Sequence, residues 1–130
     1  MREDRVIVFL TADPKRAAIA YQRMLDSDSN RTFWVQTVSE TIDMLTNYRE
    51  RLETVHLEHD LESQGYSHPS SEESGTEIVR FLEKKDPVDY EHVKFIINTW
   101  NESAGNRMTD RLREAGYNVR YQPFGLEVTY

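Results

Sequence analysis

Cysteine is absent from the 130 residues. That removes thiol nucleophiles, thiolate zinc sites, iron–sulfur clusters and disulfide staples from the functions this chain can perform. Long apolar runs are missing as well. The longest, Val6–Leu10, is five residues, whereas a membrane-spanning helix needs about twenty. No signal-peptide core follows the charged start at Met1, so the expectation is a soluble, cytoplasmic protein with no membrane partner. Positive charge is in deficit: 16 Lys and Arg stand against 23 Asp and Glu, a formal net charge of −7. A chain so acidic is not built to grip duplex DNA, although a local anion pocket remains open to it. Glycine and proline number only five and four, too few for a loop-rich or low-complexity chain. What is present suits one domain of residues 1–130: 38% hydrophobic residues, enough for a core without metal or disulfide.

The pattern alternates strand and helix. Val6–Leu10 is apolar at every position and rich in β-branched residues, as in a strand covered on both faces, and should be central. Pro14 then opens a helix carrying Ala17, Ala18, Tyr21, Met24 and Leu25. Residues 32–38 read as a second strand, and Ser39 as the cap of a helix carrying Ile42, Leu45, Tyr48 and Leu52. Residues 55–61 form a third strand. Ser74 and Glu77 have the spacing of a capping box for a helix over residues 75–85. A fourth strand over 92–97, a helix from about Ser103 stopped by Gly116, and a fifth strand over 118–122 complete the series. Residues 123–130 could add a hairpin edge strand. Repeated β-α units with right-handed crossovers predict an α/β domain of flavodoxin type: five parallel strands in order 2-1-3-4-5, with helices on both faces. One stretch, residues 62–74, is polar, Ser-rich and long for a connection in such a unit, and its position after strand three suits a lid.

In open α/β sheets ligands sit beyond the carboxyl ends of the strands, which directs attention to four places. Alternation along strand three puts His56, Glu58 and Asp60 on one face, and Asp13 approaches from the end of strand one. Three converging carboxylates call for a hard cation, Mg²⁺ or a similar divalent ion, with the alternative that Glu58 pairs with an Arg and Asp60 caps a loop. His56 and His59 point to opposite faces and cannot ligate zinc together; His56 reads as a buried supporting histidine, while His59 and His68 are candidates for proton transfer. After strand four, Asn98, Thr99 and Asn101 offer amide and hydroxyl donors, and Gly105 at the next helix start permits close approach of a phosphate. Trp100 could stack on a base, and Tyr66 in the polar stretch could reach a bound ligand.

These strings, His59-Asp-Leu-Glu62, the Gly75-led helix, and residues 98–105 with Met108, resemble the cyclic-phosphate processing receiver domain family of the CheY-like receiver fold over about residues 6–119. The resemblance implies a pocket that handles cyclic phosphates on nucleotides or RNA ends, with Asp60, His59 and Thr99 in the catalytic positions. Glu58 stands where the family usually has Asp, Asn98 where it has His, and Thr99 where it has Ser. Ordinary receivers also place a Lys near the end of strand five, where this chain has Gln122. The expected function is therefore binding or metal-assisted hydrolysis of a phosphate-bearing nucleotide or RNA terminus. A noncatalytic module that sequesters a cyclic nucleotide or docks on a partner protein is the alternative, and an atypical phosphoreceiver the third.

Overall fold

A computed structural model describes residues 5–15, 17–18, 22, 31–59 and 74–123. Five strands, β1 (Val6–Leu10), β2 (Arg31–Val35), β3 (Leu52–Leu57), β4 (Lys94–Ile97) and β5 (Asn118–Tyr121), form one sheet in the order β2-β1-β3-β4-β5. Every neighbouring pair is parallel. This is the α/β architecture expected, with β1 flanked on both sides and all five of its side chains buried.

Three helices are fully described: α1 (Val38–Asn47), α2 (Thr76–Glu83) and α3 (Glu102–Glu114). They cover one face of the sheet, where Leu45, Ile78, Val79, Leu82, Met108 and Leu112 meet Val6, Val8, Leu10, Val55, Leu57, Phe95, Ile97 and Val119 in a single cluster. The opposite face presents Ile7, Phe9, His56 and Ile96, also buried. Strand order explains this division. The step from β1 to β2 runs one way along the sheet and every later step runs the other way, so crossovers of one hand place the first helix opposite the rest. Pro14, Lys15, Ala17, Ala18 and Gln22 are helical, and Ala17 is buried. Tyr21, Met24 and Leu25 lie outside the described residues, as does the edge strand expected after residue 123.

Several local expectations shift. The cap of α1 is Thr37, not Ser39: its hydroxyl accepts from Glu40 N–H while the Glu40 carboxylate accepts from the Thr37 N–H, a reciprocal capping box. The helix also ends sooner. A 3₁₀ turn at Arg49–Arg51 follows, and Leu52 begins β3 by pairing with Val6 instead of continuing the helical stripe. The box expected at Ser74 and Glu77 does not form. Gly75 is the cap of α2 and makes no side-chain bond, and the Glu77 carboxylate pairs forward with Arg80. Gly116, in contrast, takes the left-handed backbone (φ 99°) required just past the end of α3.

Candidate functional site

The loops at the carboxyl edge begin rigidly because the parallel ladder runs one residue past the strands. Thr11 N–H donates to Val35 O at 3.1 Å, Asn98 N–H to Leu57 O at 2.8 Å and Gln122 N–H to Ile97 O at 2.8 Å. The backbone at Thr11, Asn98 and Gln122 is thus set by sheet geometry.

Glu58 is buried, and the Thr11 hydroxyl donates to its carboxylate at 2.7 Å. The same hydroxyl oxygen accepts from Asp13 N–H at 3.1 Å. Asp13 in turn starts the first helix: its carboxylate accepts from Lys15 N–H at 2.9 Å and its carbonyl from Ala17 N–H at 3.1 Å. Thr11 therefore links Glu58 to the backbone of Asp13, two of the three carboxylate residues expected to converge here. Its carbonyl also accepts from the Trp34 indole at 2.7 Å, which ties the end of β2 to the same spot. Alternation along the strand identified Glu58, but nothing in the sequence singled out Thr11 as its partner.

His56 lies on the face expected for it, stacked on Phe9 with ring centroids 4.0 Å apart and planes 9° from parallel. Its Nδ1 is 3.0 Å from Asn98 Oδ1, and the Asn98 amide NH₂ donates to Gln122 O at 2.8 Å. A carbonyl can only accept, so Asn98 must present its oxygen to His56, and the imidazole must carry its proton on Nδ1. Burial, opposed by that hydrogen bond and reinforced by the Arg120 and Lys94 charges, lowers the His56 pKa to about 3. His56 is a neutral strut joining β3, β4 and β5, and Asn98 is the hinge of that strut.

Thr99 is fully buried, its hydroxyl oxygen accepting from Asn101 N–H at 3.1 Å and its carbonyl from the Tyr121 hydroxyl at 3.0 Å. Asn101, not Ser103, caps α3, accepting from Ala104 N–H at 3.2 Å through its side-chain oxygen. That bond occupies the oxygen of the amide, and its NH₂ group can only donate. Gly105 departs from its expected role as a phosphate cradle. Its N–H donates to Asn101 O at 2.7 Å, and a Cβ there would sit 2.5 Å from the Tyr121 ring. The glycine makes room for the tyrosine ring, and the tyrosine then holds the Thr99 carbonyl. Tyr121 escaped the sequence reading because an aromatic on an edge strand carries no signal of its own.

His59 is fully buried, and its carbonyl accepts from Gly75 N–H at 3.0 Å. A Cβ on Gly75 would collide with Glu58 O and approach Met108 Cε to 2.9 Å, so only glycine lets α2 start against the end of β3. Asp60, Tyr66, His68 and all of the expected lid (residues 62–74) except Ser74 lie outside the described residues. Among the described residues no three His, Asp or Glu side chains are grouped to hold a metal; Asp13 and Glu58 are the two carboxylates that the strand ends contribute here.

The model of the cyclic-phosphate processing Receiver domain family matches residues 8–114. The chain belongs to this family. Solved structures with the same fold include the signal receiver domain of a putative LuxO repressor protein from Vibrio parahaemolyticus, at 15% identity and a TM-score of 0.66 over 95% of this chain and 80% of that one. A response regulator receiver domain from Rhodospirillum rubrum aligns at 14% identity and a TM-score of 0.60, covering 94% and 82% of the two chains. The Mn²⁺-bound response regulator Rcp1 aligns at 13% identity and a TM-score of 0.62, covering 95% and 84%. No curated protein matches the chain. As a cyclic-phosphate processing receiver domain it has the CheY-like sheet order, and its Asn98 amide bridges His56 and the Gln122 carbonyl. No described helix is long and apolar enough to cross a membrane.

Proposed function

We propose that the carboxyl edge of this receiver domain binds, and with a divalent cation turns over, a phosphate-bearing nucleotide or RNA end. The observation that carries the reading is the rigid row of polar groups past β1, β3 and β4: Thr11 on Glu58, then Thr99 and the Asn101 amide, all set by ladder or capping bonds. The Thr11 hydroxyl proton is committed to Glu58, so the donors this row offers a phosphate oxygen are the Thr99 hydroxyl and the Asn101 amide, and preorganised donors bind with little reorganisation. In this reading Thr99 and Asn101 orient the phosphate, and His59, which directly precedes Asp60 in the chain, moves the proton.

Asp13, Glu58 and Asp60 would hold Mg²⁺ or Mn²⁺, hard oxygen ligands for a hard ion, and the bound ion would polarise a phosphoryl oxygen. The chain's own residues do the positioning. Thr11 fixes the Glu58 carboxylate, Asp13 is held by the helix it caps, and the buried His56–Asn98 strut keeps β3 and β4 in register beneath them.

A screen of 2′,3′-cyclic, 3′,5′-cyclic and linear nucleotides, read by thermal shift and by product formation with and without Mg²⁺ or Mn²⁺, tests the proposal. Binding that Asp60→Asn weakens only when metal is present supports it. Product formation separates turnover from sequestration of the ligand. No thermal shift with any phosphate compound, in metal or without, refutes the reading.

A further inference from the structure

We infer that Trp100 is a stacking platform, so that the ligand of this edge carries a nucleobase and is not a bare or sugar phosphate; the inference rests on the phosphate reading of the same edge. Trp100 lies between Thr99 and Asn101 and is 51% exposed, one of two large hydrophobic side chains so exposed among the described residues; the other, Val88, stands in the turn before β4. The backbone around Trp100 is not loose. Thr99 O is held by the Tyr121 hydroxyl, Thr99 Oγ1 by Asn101 N–H, and the Asn101 side chain by the first turn of α3.

An exposed indole on a pinned shelf offers a fixed flat apolar surface to a ligand, whereas the other tryptophan of the chain is already engaged. Trp34 is half-buried and its N–H is satisfied by Thr11 O. The Trp100 side chain makes no hydrogen bond, ion pair or ring contact among the described residues. Its flanking residues are the proposed phosphate-orienting groups, so a ligand held there by its phosphate brings whatever is attached to the sugar across the indole. A purine suits that surface: flat, weakly hydrated on its faces and sequence-tolerant in stacking.

The test titrates adenosine 2′,3′-cyclic phosphate, ribose 5-phosphate and adenosine into the unaltered full chain by calorimetry, with fluorescence quenching read in Trp34→Phe, in which Trp100 is the sole indole. The cyclic nucleotide should quench Trp100 and bind roughly ten-fold or more tighter than ribose 5-phosphate. Trp100→Ala in the unaltered chain should remove that advantage while leaving ribose 5-phosphate affinity unchanged, and Trp100→Phe should restore most of it. Equal affinity for the two phosphates, or an unchanged preference in Trp100→Ala, overturns the platform and leaves the phosphate reading standing. Adenosine binding as tightly as its cyclic phosphate, with quenching, supports the platform and sinks the phosphate reading; no binding of any of the three overturns both.

Discussion

Lowering the pH should unfold this protein through His56 before ordinary carboxylate titration does. An unfolded histidine titrates at 6.5, whereas burial holds His56 near 3 in the folded state. Between those values the unfolded chain binds a proton that the folded chain refuses, so stability is full above pH 6.5 and falls with each step below it. The slope approaches 1.36 kcal/mol per pH unit, which amounts to about 2 kcal/mol lost between pH 7 and 5 and about 4 kcal/mol by pH 3. Arg120 and Lys94, the charges that act on the ring from β5 and β4, push in the same direction as burial. His56→Gln isolates the effect, since its amide can still donate to Asn98 but cannot titrate. Urea unfolding of both proteins from pH 7.5 to 4.5 should show the wild type's advantage shrinking by about 2 kcal/mol as pH falls to 5, with carboxylates and the other histidines cancelling in the difference. The imidazole signal of His56 should stay at its neutral position to pH 4 in a nuclear magnetic resonance titration. Parallel stability curves, or a His56 midpoint near 6, would refute the neutral strut.

Gly75→Ala drives a methyl into the Glu58 carbonyl and Met108, and should cost about 1–3 kcal/mol in chemical denaturation, more than Gly→Ala at an open position. Tyr121→Phe removes one hydrogen bond to Thr99 while keeping the ring over Gly105, so stability should fall by only about 1 kcal/mol while nucleotide affinity falls with it. Acetyl phosphate with Mg²⁺ should leave no stable phosphoryl adduct by intact mass, because Gln122 provides no cation to hold an aspartyl phosphate; an adduct lost in Asp60→Ala would instead make the chain a working phosphoreceiver. Arg111→Ala breaks the bidentate pair with Glu83 (2.9 and 2.5 Å), but the pair is surface-exposed and the loss should stay within about 1 kcal/mol.

The five strands, their parallel order and the central place of β1 could be read from residue order alone, because hydrophobic period and length distinguish a covered strand from an amphipathic helix without reference to anything distant. Gly116 was legible for the same reason: a stop after α3 is a local backbone requirement. Boundaries were less so. Leu52 fits a helical stripe as well as a strand start, and only its pairing with Val6 decides between them. At the candidate site, alternation brought out Glu58 and the turn after β4 brought out Thr99 and Asn101, each from its own stretch of chain. What each side chain then does depends on groups far away in sequence. Thr11 claims Glu58 across 47 positions, Asn98 claims His56 across 42, and Tyr121 occupies the space that Gly105 leaves open. Local periodicity tells which face a residue takes; only the assembled sheet decides which donor meets which acceptor, because those partners are set by strand register and not by neighbours in the chain.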